Sequence, residues 1–239
     1  MKQIRRKSAI SAINTHGMLL VFPIDNARLP LSLWSVAYPE HKMLWQWDDE
    51  GDDRVSRMWH LREELSRSRE VIYTKWYRGR ATFFSKSIFT AMLASFLGGK
   101  EPLRGLSHEA REILEILETD SPLSTKALKR SSGLQGRTQE ATYQRTLKEL
   151  WSRLLIVGFG EVDEGAFPSL AIGSTRVLFE DLFQQAQKMS PKESQERLKE
   201  FFKTNALAEK FFLRTQNSFQ PREAVRKRIH PSGYIEFNG

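Results

Sequence analysis

The stretch from Leu106 to Ile172 constrains the fold more than any other part of the chain, because its apolar spacing changes from helical to strand-like within it. Leu106, Ile113, Leu114, Ile116 and Leu117 fall on one face of a helix that starts after Ser107. The Ser107 hydroxyl can accept one of the free N–H groups of the first turn. Asp120-Ser121-Pro122 ends that helix, since proline disfavours helical geometry at the residue before it. Leu123 to Ser132 is expected to be a second, short helix capped by Ser124, and Gly133 permits the turn that follows. From Thr138 onward, Tyr143, Leu147, Leu150, Trp151 and Leu154 recur at steps of three and four, which predicts a longer third helix. Leu155 to Phe159 then has strand character, Asp163-Glu164-Gly165 turns the chain, and Phe167 to Ile172 can pair back. Three helices and a two-stranded ribbon in that order predict a winged helix-turn-helix, packed around Leu114, Leu128, Leu147, Leu150, Trp151 and Ile156.

The fold class expected for the whole chain is therefore mostly α with a small β component. The winged helix spans 100–173, between an N-terminal α+β segment over 1–99 and C-terminal helices with a tail over 174–239. In the first segment, residues 1–13 read as a basic helical arm, and Gly17 to Ile24 as a buried extended segment. Leu29 to Tyr38 reads as a short helix or turn, and Asp48 to Asp53 as an acidic surface loop. Val55 to Ser68 reads as an amphipathic helix with Val55, Met58, Trp59, Leu61 and Leu65 inside, and Ile88 to Leu97 as another apolar segment. Gly98-Gly99 and Pro102 mark a hinge. Beyond the winged helix, Thr175 to Met189 and Pro191 to Ala208 are expected as two helices, with Phe211 to Gly239 a partly ordered tail.

With 15 Phe and 6 Trp in 239 residues the chain can bury a substantial core, and with no cysteine it can form neither disulfides nor thiolate metal sites. The basic start Lys2, Arg5, Arg6 and Lys7 resembles a signal peptide, but Asn14, Thr15 and His16 interrupt the apolar run that should follow. The run Gly17 to Ile24 falls far short of the roughly 20 residues a membrane span requires. A soluble, cytoplasmic protein without a membrane partner is expected.

The net charge of +8 favours an anionic partner, but its distribution matters more. Residues 54–86 carry 9 basic and 3 acidic side chains, and residues 1–10 carry 4 basic and no acidic ones. The winged-helix stretch 106–172 holds 8 basic and 10 acidic residues, so the module expected to bind DNA is not the basic part. Its third helix offers Thr138, Gln139, Thr142 and Arg145 away from the apolar stripe, with Arg137 just before. These side chains are of the types that read base edges or hold phosphates in the major groove. The competing reading is a solvated helix face, which Glu140 and Glu149 support, as does a wing tip carrying Asp163 and Glu164. Lys75, Arg78, Arg80 and Lys86, interleaved with Trp76, Tyr77, Phe83 and Phe84, can hold phosphates and stack on bases. For Phe83 and Phe84 a core position is the better reading, and for Trp45 and Trp47 ordinary packing. The histidines His16, His41, His60, His108 and His230 show no metal-ligand spacing, and no phosphate-binding glycine loop or catalytic triad order stands out, so neither a metal nor a cofactor is expected.

Several of these segments together resemble the AlkZ-related winged-helix proteins, shorter relatives of the bacterial AlkZ and YcaQ DNA glycosylases. The resemblance rests on Gly17 to Ile24, Ser32-Leu33-Trp34-Ser35-Val36 and Trp59 to Leu65. It continues through Lys75 to Phe83, Leu106 to Ala110 and Leu123 to Gly136, and covers about residues 17–198. It implies a winged-helix fold and an association with DNA, double-stranded DNA in particular, or with its repair. The glycosylases of this group carry a catalytic Gln, an apolar residue, then Gln or Asp. Gln46-Trp47-Asp48 matches those letters here, with a bulkier middle residue and an acidic flank. Three readings follow: a non-catalytic DNA-binding protein, an active glycosylase using Gln46 and Asp48, and a winged helix that binds protein.

Overall fold

The computed structural model describes residues 5–44, 53–98, 103, 105–163 and 168–219. The protein is mostly helical, with one six-stranded antiparallel sheet among the described residues. The elements run α1 (Arg6–His16), β1 (Met18–Leu20), α2 (Leu33–Ala37), α3 (Asp53–Arg67), β2 (Ile72–Thr74), β3 (Thr82–Phe84) and α4 (Lys86–Leu97). They continue with α5 (His108–Thr119), β4 (Leu123–Ser124), α6 (Thr125–Ser131), α7 (Glu140–Ser152), β5 (Ile156–Val162) and β6 (Ser169–Ser174). Four helices close the described chain: α8 (Thr175–Leu178), α9 (Glu180–Lys188), α10 (Pro191–Phe202) and α11 (Ala206–Ser218).

The strand order is β1-β3-β2-β5-β6-β4, so the N-terminal strands and the C-terminal ribbon share one sheet. Side chains alternate across a strand, and here the alternation feeds two cores. Leu19, Tyr73 and Phe83 enter one cluster with Ala9 and Ile13 of α1, Trp34 of α2 and Met58 and Leu65 of α3. Met18, Leu20, Ile72 and Phe84 enter the other, with Phe89 and Met92 of α4, Ile113 of α5, Leu150 of α7 and Phe202 of α10. Strands covered on both faces read as unbroken apolar runs, which is why Gly17 to Ile24 looks buried from sequence. Phe83 and Phe84 are both fully buried, as expected.

The two halves of the sheet meet at one residue pair, Tyr73 of β2 opposite Gly158 of β5. A Cβ on residue 158 would lie 2.2 Å from the Tyr73 ring, so only glycine lets the strands approach there. Two residues on, Gly160 takes a φ of +75° at a bulge in the β5–β6 ladder, and its N–H donates to Ser66 Oγ at 2.9 Å. The bulge turns Glu161 toward α3.

Ser107 caps α5, accepting from the Ala110 N–H, and Ser124 caps α6, accepting from the Ala127 N–H. The expected core residues Leu114, Leu128, Leu147, Leu150, Trp151 and Ile156 all belong to one buried cluster. Other expectations need correction. Leu123 is not helical but pairs with Ile172 at the sheet edge, because the capping residue after it must be extended. Helix α7 starts at Glu140 rather than Thr138, since Gly136, with a φ of +88°, leads into a 3-10 turn over Arg137–Gln139. The helix expected over Thr175 to Met189 breaks at Phe179. Phe211 does not open a tail. It lies within α11, which runs to Ser218 because Phe212 packs on Phe96 and Phe202, with ring centroids 5.1 and 5.4 Å apart. Gln46, Asp48, Trp45, Trp47, Glu164, Gly165 and Phe167 lie outside the described residues, as do residues 220–239.

Candidate nucleic-acid interface

The connection between β2 and β3 builds the site. Lys75 and Trp76 leave β2, Tyr77–Gly79 make a 3-10 turn, and Arg80 and Ala81 lead into β3. Arg78 and Gly79 both have positive φ, which throws the turn outward. Trp76 and Tyr77 anchor it against Phe211 of α11, at centroid separations of 4.9 and 5.1 Å. The turn thereby sits between α7 and α11, beside an open cleft of about 1460 Å³.

Residues that line this cleft yet are buried form its floor, Arg62, Tyr73, Trp76, Tyr143 and Trp151 among them. Exposed residues form its rim: Arg78 and Arg80 from the turn, Gln144 and Lys148 from α7, Lys210 and Arg214 from α11. Among the described residues, Arg62, Lys75, Arg78, Arg80, Lys148, Lys210 and Arg214 face only Asp25 and Glu161 as carboxylates. On the far wall, the Asn26 side chain exchanges hydrogen bonds with the backbone of Met43, at 3.0 and 2.7 Å, fixing the loop after β1.

At the floor, Arg62 of α3 forms an ion pair with Glu161 of β5, with side chains 3% and 13% exposed. Trp59, expected inside, is 43% exposed. Arg62 takes the buried place on that face instead, because Glu161 neutralises it, and its guanidinium lies over the Trp59 ring at 4.2 Å. Burial pushes the Tyr73 hydroxyl pKa up, against the opposing effect of Arg62. Burial also pushes the Lys75 amine down, and the neighbouring Arg62 charge lowers it further. Arg62 Nε and Trp76 Nε1 are buried with no hydrogen-bond partner among the described residues.

Of the residues expected to bind DNA, the cleft gathers Lys75, Arg78 and Arg80. Lys86 starts α4 and does not line it, and neither do Arg137, Thr138, Gln139, Thr142 and Arg145, which occupy another face of the 3-10 turn and α7. The cleft also recruits residues that the sequence reading passed over. Lys210 and Arg214 stand four apart, the spacing that puts two side chains on one helix face. An arginine within an apolar helical stripe marks Arg62, and Gly-Phe-Gly before an acid marks the bulge that aims Glu161.

The sequence profile of the AlkZ-related family matches residues 5–212, most of the chain. The chain belongs to the AlkZ-related family. No curated protein and no solved structure matches it. The matched residues of this AlkZ-related chain include both strands of the cleft turn, the Arg62–Glu161 pair, all of α7 and Lys210, but stop short of Arg214. The family relates the chain to DNA glycosylases and implies an association with DNA.

Proposed function

We propose that this AlkZ-related protein is a cytoplasmic winged-helix DNA-binding protein of a repair context, and that it has no base-excising activity of its own. The order α5, β4, α6, α7, then the ribbon β5–β6 with β4 paired to β6, supports the winged-helix reading. Among the described residues no helix is long and apolar enough to cross a membrane.

The observation that carries the DNA reading is the cation-rimmed, aromatic-floored cleft. It exceeds the about 300–1,000 Å³ of a small-molecule pocket, and positive charge with aromatic faces is what a nucleic-acid backbone and its bases require. The acidic balance of 106–172 does not oppose this. Glu140 pairs with Lys129, Glu118 with Arg176, and Glu149 receives hydrogen bonds from both the Ser107 N–H and hydroxyl. Of that segment's described acids, only Glu161 lines the cleft. Duplex DNA is the expected ligand, held by Lys75, Arg78, Arg80, Lys148, Lys210 and Arg214. The face with Arg137, Thr138, Gln139, Thr142 and Arg145 is separate from the cleft and suits a protein partner.

A glycosylase must extrude a base and aim a water at its sugar. Gln46 and Asp48 fit the family's catalytic letters, but they adjoin Asp49, Glu50, Asp52 and Asp53, whose charge repels the flanking phosphates. Two assays test the proposal. Binding to a plain duplex should weaken steeply as salt rises, and base release from alkylated duplex should match the protein-free control. Release above background that disappears in Asp48→Ala would make the protein a glycosylase.

A further inference from the structure

Lys75 differs from the other cations of the cleft. Its side chain lines the cleft half-buried just beyond β2, with no hydrogen bond or ion pair among the described residues. The rim cations are exposed and suited to phosphates. A lysine that only held phosphate would gain nothing from sitting deep, since burying an unpaired ammonium is unfavourable. Burial and the Arg62 charge both favour its neutral form. An ordinary lysine, with a pKa near 10.4, is only about 0.1% neutral at pH 7.5, and the neutral amine is the nucleophile that reacts with carbonyl groups.

We propose that Lys75 forms an imine with the open-chain aldehyde of an abasic deoxyribose, so that the protein captures abasic sites in DNA covalently. The inference rests on the DNA reading given above. Within DNA, an abasic sugar supplies the aldehyde, and lacking a base it leaves the stack more cheaply than an intact nucleotide. The Lys75 nitrogen lone pair attacks C1′ to give a carbinolamine. A proton passes from nitrogen to oxygen, the hydroxyl leaves as water, and a C=N bond remains. One water is released, no oxidant or reductant takes part, and hydrolysis reverses the step. A base-excising reaction must supply this substrate.

The test incubates the full chain with a duplex holding one abasic site, adds sodium cyanoborohydride, and separates the products on a denaturing gel. A duplex with a tetrahydrofuran analogue, which has no aldehyde, reports binding in parallel. The expected result is a trapped adduct that peptide mass mapping places on Lys75. It should be absent in Lys75→Arg even at protein concentrations that saturate the tetrahydrofuran duplex, and it should persist in Lys192→Arg, an exposed lysine of α10 outside the cleft. Tight binding of the tetrahydrofuran duplex without an adduct, or an adduct that survives in Lys75→Arg, overturns the role of Lys75 alone. Failure to bind the tetrahydrofuran duplex overturns the DNA reading itself.

Discussion

The Arg62–Glu161 pair joins α3 to the bulged strand β5 across 99 positions of sequence, and little solvent reaches either partner. Removing one member of a buried pair leaves an uncompensated charge, which costs about 3–5 kcal/mol, whereas replacing both by apolar residues is often neutral. Glu161→Ala should therefore lower the urea midpoint strongly, and Arg62→Leu/Glu161→Leu should recover most of it. A single variant as stable as wild type would show that water, not Glu161, neutralises Arg62. Lys75 carries the opposite sign. Its folded-state pKa lies below that of the unfolded chain, so the ionised amine opposes folding below the folded value. That penalty fades as pH rises toward the unfolded value near 10.4, because the unfolded chain then binds more protons. Lys75→Met should raise the unfolding midpoint at pH 7, and by less at pH 10. A midpoint that falls at both would mean that the amine is stabilised by its surroundings.

Two elements decide whether the cleft forms at all. The β2–β5 junction depends on Gly158, and an added methyl there meets the Tyr73 ring. Overpacking of this kind costs about 1–3 kcal/mol, so Gly158→Ala should destabilise by that amount in urea titration and loosen the floor at Tyr73. Helix α7 depends on Trp151, which is 5% exposed and belongs to the larger core. Emptying such a site costs about 3–5 kcal/mol, and a loss under 1 kcal/mol for Trp151→Ala would contradict the packing described. The helices were legible from sequence where a single face is buried, as in α5 and α7, since the three- and four-residue spacing records it. The helix-three stripe even identified the core residues by name. The edge strand β4 was not legible, because two residues leave no period and Leu123 serves a sheet as readily as a helix. Trp59, expected inside, is exposed and Arg62 is buried for a reason that no spacing carries: the partner that makes a buried arginine tolerable stands 99 residues away.

Over the whole molecule, the cations of one cleft converge from segments far apart in sequence, among them the β2–β3 turn, α7 and α11. The sequence pointed to the first, through Lys75, Arg78 and Arg80. It missed Lys210 and Arg214 because the helix expected over Pro191 to Ala208 ended before them and the chain from Phe211 was read as a tail, and only tertiary packing through Phe211 and Phe212 brings them to the turn. The acidic balance of residues 106–172 loses its force once most of its described carboxylates are seen to be paired or absent from the cleft. The central claim is that DNA lies in this cleft rather than on the Arg137–Arg145 face. The most direct measurement is duplex binding across a salt series for three charge-reversed proteins: Arg78→Glu/Arg80→Glu, Lys210→Glu/Arg214→Glu, and Arg137→Glu/Arg145→Glu. Each phosphate contact adds about 0.9 to the magnitude of the slope of log affinity against log salt. The first two variants should therefore bind more weakly with slopes shallower by about 1–2, while the third stays near wild type. Equal losses in all three, or an affinity that does not depend on salt, would contradict the account.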